Sequence, residues 1–165
     1  MSKQLVATLS VAVALMFACA AISAEKDTKE KKAYEPKCPV SGEAASKDHV
    51  VKHNGGDVQF CCGKCPAAFE KDTAKYAAKA NLQLVGTKQA KSNGKCPLKG
   101  GKLNPATAID IDGVKVCFCC NNCKATVEKA EGDKKLELVF SDAAFAKGFK
   151  VGDEKKKDRK KDKEN

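Results

Sequence analysis

The sequence predicts a small α+β protein made of two tandem units, each a cysteine-bearing turn, a β-hairpin and a helix. Three observations predict it. First, shifting the chain by 58 residues aligns Lys37 to Lys71 with Lys95 to Lys129 without a gap and gives 13 identities in 35 positions, the mark of a duplication. Second, each copy spaces its cysteines alike: one Cys, 22 residues, Cys-Cys, two residues, Cys. Third, "AIDIDGVKVCF" alternates apolar and polar residues around Asp112-Gly113, a two-residue hairpin signal that "VVKHNGGDVQF" repeats more loosely in the first copy.

The chain opens with Lys3, the apolar run "LVATLSVAVALMFACAAI" and small residues at "ACA" and "AISA", then turns abruptly charged at "EKDTKEKK". This is the layout of an export signal, expected to span residues 1–24 and to be removed near Ala20 or Ala24. The apolar run is of borderline length for a membrane span and is rich in Ala. Lipid anchoring through Cys19 ranks below simple export, because "MFA" matches a lipobox poorly. The expected location is periplasmic or secreted.

Residues 25–36 form a charged linker, 37–85 the first repeat, 86–94 a polar linker ("GTKQAKSNG"), 95–150 the second repeat and 151–165 a charged tail. Charge density predicts disorder in both flanks of the mature chain. Within each repeat, "CPVSG" and "CPLKG" read as tight turns, with Pro and Gly shaping the backbone. The hairpin follows. After the last Cys a helix is expected over "PAAFEKDTAKYAAKA", with Pro66 in its first turn and Phe69 and Tyr76 on one face. "NLQLV" and "LELVF" are expected as short extended pieces closing the two copies.

Composition explains why cysteine matters here. Of 165 residues, 5% are aromatic, none is Trp and 32% are charged, so apolar burial alone would stabilise small units poorly. The ten cysteines point to metal or disulfides. Loss of Cys19 with the signal would leave nine, an odd number that argues against a complete set of disulfides. Soft thiolates gathered from a turn and a strand–helix junction suit zinc or copper(I), and a helix N-terminus favours the thiolate form. Lys37, Lys64 and Lys95 would offset the charge of such a site.

"CPVSG…VQFCCGKCPAAFEKDTAKY" and "CPLKG…VCFCCNNCKATVEKA" resemble the YHS and TRASH group of small heavy-metal-binding domains. The resemblance covers Cys38 to about Ala80 and Cys96 to about Ala130. It implies two treble-clef-like fingers, one ion in each, and a role in sensing, trafficking or resistance to heavy metals. The residues that match the family's spacing are Cys38, Cys61 and Cys65, and Cys96, Cys119 and Cys123. Four-cysteine relatives carry a second turn ligand where this chain has Ser41 and Lys99. Either Cys62 and Cys120 complete a tetrahedral site, or the site stays trigonal, which suits copper(I), or it keeps an open position. The competing reading of Cys62 and Cys120 is a small buried residue or a spare thiol, because adjacent cysteines crowd one another as joint ligands.

His49 and His53 have no counterpart histidine in the second copy, where Thr107 and Ile111 stand, so the shared chemistry does not need them. Cys117 replaces Gln59 and faces away from Val116 and Phe118. Phe60, Phe118 and Phe69 read as core.

The expected function is metal binding for storage, trafficking or resistance. Two other classes remain: a structural zinc-finger interaction module, and a thiol–disulfide oxidoreductase using the Cys-x-x-Cys motifs "CGKC" and "CNNC". A disulfide-only scaffold is a fourth reading. No phosphate loop, nucleophile elbow or shared histidine base points to an enzyme. The expected partners are a metal ion and an envelope protein. The net charge of +10 adds weak attraction to anionic surfaces, and no specific nucleic acid is expected.

Overall fold

The structure is a computed structural model and describes residues 34–152. The expected export signal, all but the end of the charged linker, and the tail beyond Gly152 lie outside the described residues.

After its cysteine turn each copy carries a hairpin. β1 (Ser46–His53) pairs antiparallel with β2 (Gly56–Phe60), and β4 (Asn104–Ile111) with β5 (Val114–Phe118). Asn54 and Gly55 turn the first with φ of 48° and 86°, and Asp112 and Gly113 turn the second with φ of 49° and 83°. Two successive left-handed residues make the turn whose twist matches paired strands, which is why Asn-Gly and Asp-Gly stand there. Both long strands slip register partway, between Ser46 and Val50 and between Asn104 and Ile109. In the second hairpin the buried Thr107 hydroxyl closes that gap, donating to the Phe118 carbonyl at 2.7 Å and accepting from the Phe118 N–H at 2.8 Å.

A helix starts beside the last Cys of each copy: α1 (Lys64–Lys71) and α3 (Asn121–Lys129). The single helix expected over "PAAFEKDTAKYAAKA" is broken at Asp72. That residue leaves helical conformation at φ −142° and caps α2 (Thr73–Gly86) by accepting from the Lys75 N–H. Phe69 and Tyr76 therefore sit on separate helices; Phe69 is buried and Tyr76 half-buried.

The expected extended pieces are also corrected. "NLQLV" lies within α2, and "LELVF" lies within α4 (Gly132–Phe140), which is followed by α5 (Asp142–Gly148). The alternation of polar and apolar residues in Asn81-Leu82-Gln83-Leu84 suggested a strand with one wet face, yet all four are buried. The two amides tolerate burial because both are bonded. Asn81 donates to the Phe140 carbonyl at 2.8 Å, and Gln83 donates to the Lys37 and Gln59 carbonyls at 2.9 Å each while accepting from the Gln59 N–H.

The segment 86–94, expected as a polar linker, carries β3 (Ala90–Ser92), which pairs antiparallel with β6 (Phe149–Val151). These strands occupy equivalent places at the ends of the two copies. Helix α2 likewise packs on α4, its counterpart in the second copy. Antiparallel pairing of equivalent strands and packing of equivalent helices is the arrangement that a twofold rotation between copies produces.

The copies consequently share one core. Phe60, Phe69 and Leu84 from the first and Phe118, Val127 and Phe140 from the second belong to a single buried cluster. Helix α2 also meets β2, β3, β5 and α5, so it is the spine between the copies. Tyr34, expected within a disordered linker, is half-buried with its ring against Gly86 of α2. A Cβ at Gly86 would collide with that ring, so glycine is what allows the approach.

Candidate metal centres

Two groups of three thiols form where the turn meets the strand–helix junction. Cys38, Cys61 and Cys65 bring their sulfurs within 4.8 Å of one another, and so do Cys96, Cys119 and Cys123. The local fold explains both. The Cys38 N–H donates to the Glu43 carbonyl at 2.7 Å, the Gly42 N–H returns to the Cys38 carbonyl at 2.8 Å, and Lys37 bridges Ala44. The second copy repeats this: the Cys96 N–H donates to the Gly101 carbonyl, the Gly100 N–H to the Cys96 carbonyl, and Lys95 bridges Lys102. Gly42 and Gly100 close the loops at φ of 80° and 72°, a conformation that disfavours any side chain.

The second thiol of each triad directly follows the inner hairpin strand, and the third lies in the first turn of the helix. Phe60 and Phe118, fully buried one residue before the Cys-Cys pair, anchor that junction in the core. In the first copy Gln83 adds a clamp, because its amide binds both the residue before Cys38 and the strand leading to Cys61. Gln83 is a positioning residue that sequence reasoning missed. Its only signal was a polar residue inside an apolar stretch.

The sulfur spacing fits a soft metal. Zinc–thiolate bonds of about 2.3 Å separate sulfurs by about 3.8 Å in a tetrahedral site and about 4.0 Å in a planar trigonal one. Cys61 and Cys65 are 3.5 Å apart, and Cys119 and Cys123 are 3.7 Å apart. A disulfide needs about 2.0 Å, so these are non-bonded contacts, and all nine cysteines among the described residues are free thiols.

The electrostatics of each triad set its thiols apart. Burial opposes ionisation of Cys38, but the Ser41 hydroxyl and the N–H groups of Ser41, Cys61 and Val40 outweigh it and lower the thiol to about 7. Cys96 is lowered in the same way: burial is opposed by the N–H groups of Lys99, Cys119 and Leu98. Burial raises Cys65, helped by contacts with Cys61 and Cys62 and by the charge on Cys38. Cys123 is pushed up to about 12 by burial and by contacts with Cys119 and Cys120. In each triad the turn thiol is the easier one to ionise, and its charge resists ionisation of the helix thiol. A cation is what would let all three lose their protons together.

The fourth cysteines lie beside the triads and not within them. The Cys62 sulfur is 3.6 Å from that of Cys65, and the Cys120 sulfur is 3.8 Å from that of Cys119. Cys62 is exposed and Cys120 half-buried. The Ser41 hydroxyl lies 3.2 Å from the Cys61 sulfur.

The remaining candidates stand apart. His53 stacks edge-on against Phe69 and places Nε2 3.3 Å from the Asp142 carboxylate, in a cluster with Asn54 and Asn81 that ties the first hairpin to α5. His49 is half-buried on β1 near Gly63. Cys117 is half-buried beside Pro97, Leu103 and Phe149. No helix among the described residues is long and apolar enough to cross a membrane.

Compared with known proteins, the chain matches no family model, no curated protein and no solved structure.

Proposed function

We propose that the protein is an exported, non-enzymatic metal binder that holds one zinc or copper(I) ion in each cysteine triad, for storage, trafficking or resistance. The observation that carries the reading is the convergence of three thiols from distant chain segments within 4.8 Å, twice, on the same local scaffold. Thiolates select soft ions, and the resemblance to the YHS and TRASH domains points the same way. The exposed edge of the first site favours exchange of metal over permanent burial: Cys61 is half-buried and Cys62 exposed, while Cys38 and Cys65 face the core.

A second reading is a pair of structural zinc fingers, favoured by the burial of Cys38, Cys65, Cys96 and Cys123 within the shared core. The two readings separate on exchange. The first test is native mass spectrometry with elemental analysis and thiol counting on the full chain, purified without added metal, followed by challenge with a chelator. Two ions per chain, with thiols reduced and a fold that outlasts metal removal, support storage or transfer. Loss of the fold together with metal supports the structural reading. No metal after reduction and reconstitution, with cysteines paired by mass, overturns both.

A further inference from the structure

The two triads are alike, but their fourth cysteines are not. Cys62 is exposed and precedes Gly63, the residue that opens α1. Cys120 is half-buried and is itself the opening residue of α3, in extended conformation, with its carbonyl receiving the Lys124 N–H. The helix thus begins one position earlier in the second copy and holds Cys120 closer to the fold. In the first copy the outermost thiol reaches solvent while touching the buried triad member Cys65 at 3.6 Å.

We propose that Cys62 is an exchange thiol: it draws the metal of the first triad from the buried Cys65 to the surface, where a thiol-bearing acceptor takes it. The inference rests on the metal-binding reading above. Cys38 and Cys65 are 1% and 8% exposed, so an acceptor cannot reach the ion from their side. The Cys61–Cys62 edge is the open one. In the exchange step the Cys62 sulfur bonds the ion as the Cys65 sulfur–metal bond breaks, and the Cys62 proton passes to the Cys65 sulfur beside it. Charge and coordination number are unchanged, and no oxidant is needed. The ion is then held by Cys38, Cys61 and Cys62, with Cys62 open to attack by an incoming thiolate. The second triad has no equally exposed thiol, so it releases its ion more slowly.

The test uses the full chain loaded with zinc, challenged by a small dithiol acceptor in the presence of a chromogenic zinc indicator. The wild type is expected to bind two ions and to release them in a fast and a slow phase. Cys62→Ser is expected to keep both ions and to slow the fast phase roughly tenfold, the scale of loss seen when one group around a metal is removed. Cys120→Ser is expected to leave the fast phase unchanged. An unaltered fast phase in Cys62→Ser with two ions bound overturns the exchange role while leaving the binding reading intact. Loss of one ion in Cys62→Ser makes Cys62 a permanent ligand and also overturns it. If the wild type binds neither zinc nor copper(I), the binding reading itself fails and the exchange role with it.

Discussion

The two thiol triads of this chain sit in the two copies of one repeat, and their differences separate what the arrangement requires from what it tolerates. Both copies keep the turn Cys-Pro, the loop glycine, the buried Phe and the thiols of the triad. Around them the residues change. Ser41 touches the first site where Lys99 stands in the second copy, and Gly101 lies against Cys119 where the first copy has Glu43. A Cβ at Gly101 would fall 3.3 Å from that of Cys119, tight enough that the neighbouring chain would have to give. The triad geometry survives these exchanges because it is set by the hairpin, the loop and the helix, and not by side chains around the sulfurs.

The largest expected effect comes from removing a triad thiol. Cys38→Ala should lower the bound ions from two to one by native mass spectrometry, Cys96→Ala should do the same, and the double variant should bind none. Unequal losses from the two single variants would break the equivalence of the sites.

Next comes Gln83, which serves only the first copy. Gln83→Leu leaves the Gln59 N–H and the carbonyls of Gln59 and Lys37 without their partner, and burial of unpaired groups costs about 1–3 kcal/mol. Thermal unfolding should shift down accordingly. Because the copies share one core, a single transition is expected in place of two.

Affinity should also depend on pH. Metal displaces thiol protons, so binding weakens as pH falls. In the first site Cys38 ionises near 7, whereas Cys65 keeps its proton through the neutral range. The fall should therefore steepen by one proton below about 7, where Cys38 is protonated too, as competition titrations over a range of pH would show. The smallest effect is that of Ser41→Ala, which should move the Cys38 thiol from about 7 back toward its ordinary 9.0 and leave Cys96 unmoved, read from ultraviolet thiolate absorbance.

The comparison also shows what was legible beforehand. The hairpins were readable because Asp112-Gly113 and the alternating residues beside it are local signals, and the triads because cysteine spacing is repeated. The end of each copy was not. Asn81 and Gln83 mimic the wet face of a strand, and only the partners they bond, Phe140, Lys37 and Gln59, make their burial in a helix favourable. The break at Asp72 and the pairing of β3 with β6 likewise depend on contacts between the copies, which no window of sequence displays. Cys62 and Cys120 looked equivalent by alignment. The one-residue difference in where each helix starts separates them.

The most direct test of the central claim is X-ray absorption at the edge of the bound metal in the reduced, reconstituted full chain. Three thiolates per ion, drawn from the Cys38 and Cys96 triads, predict a first shell dominated by sulfur at about 2.3 Å. A first shell of nitrogen and oxygen, with no sulfur component, would contradict the account.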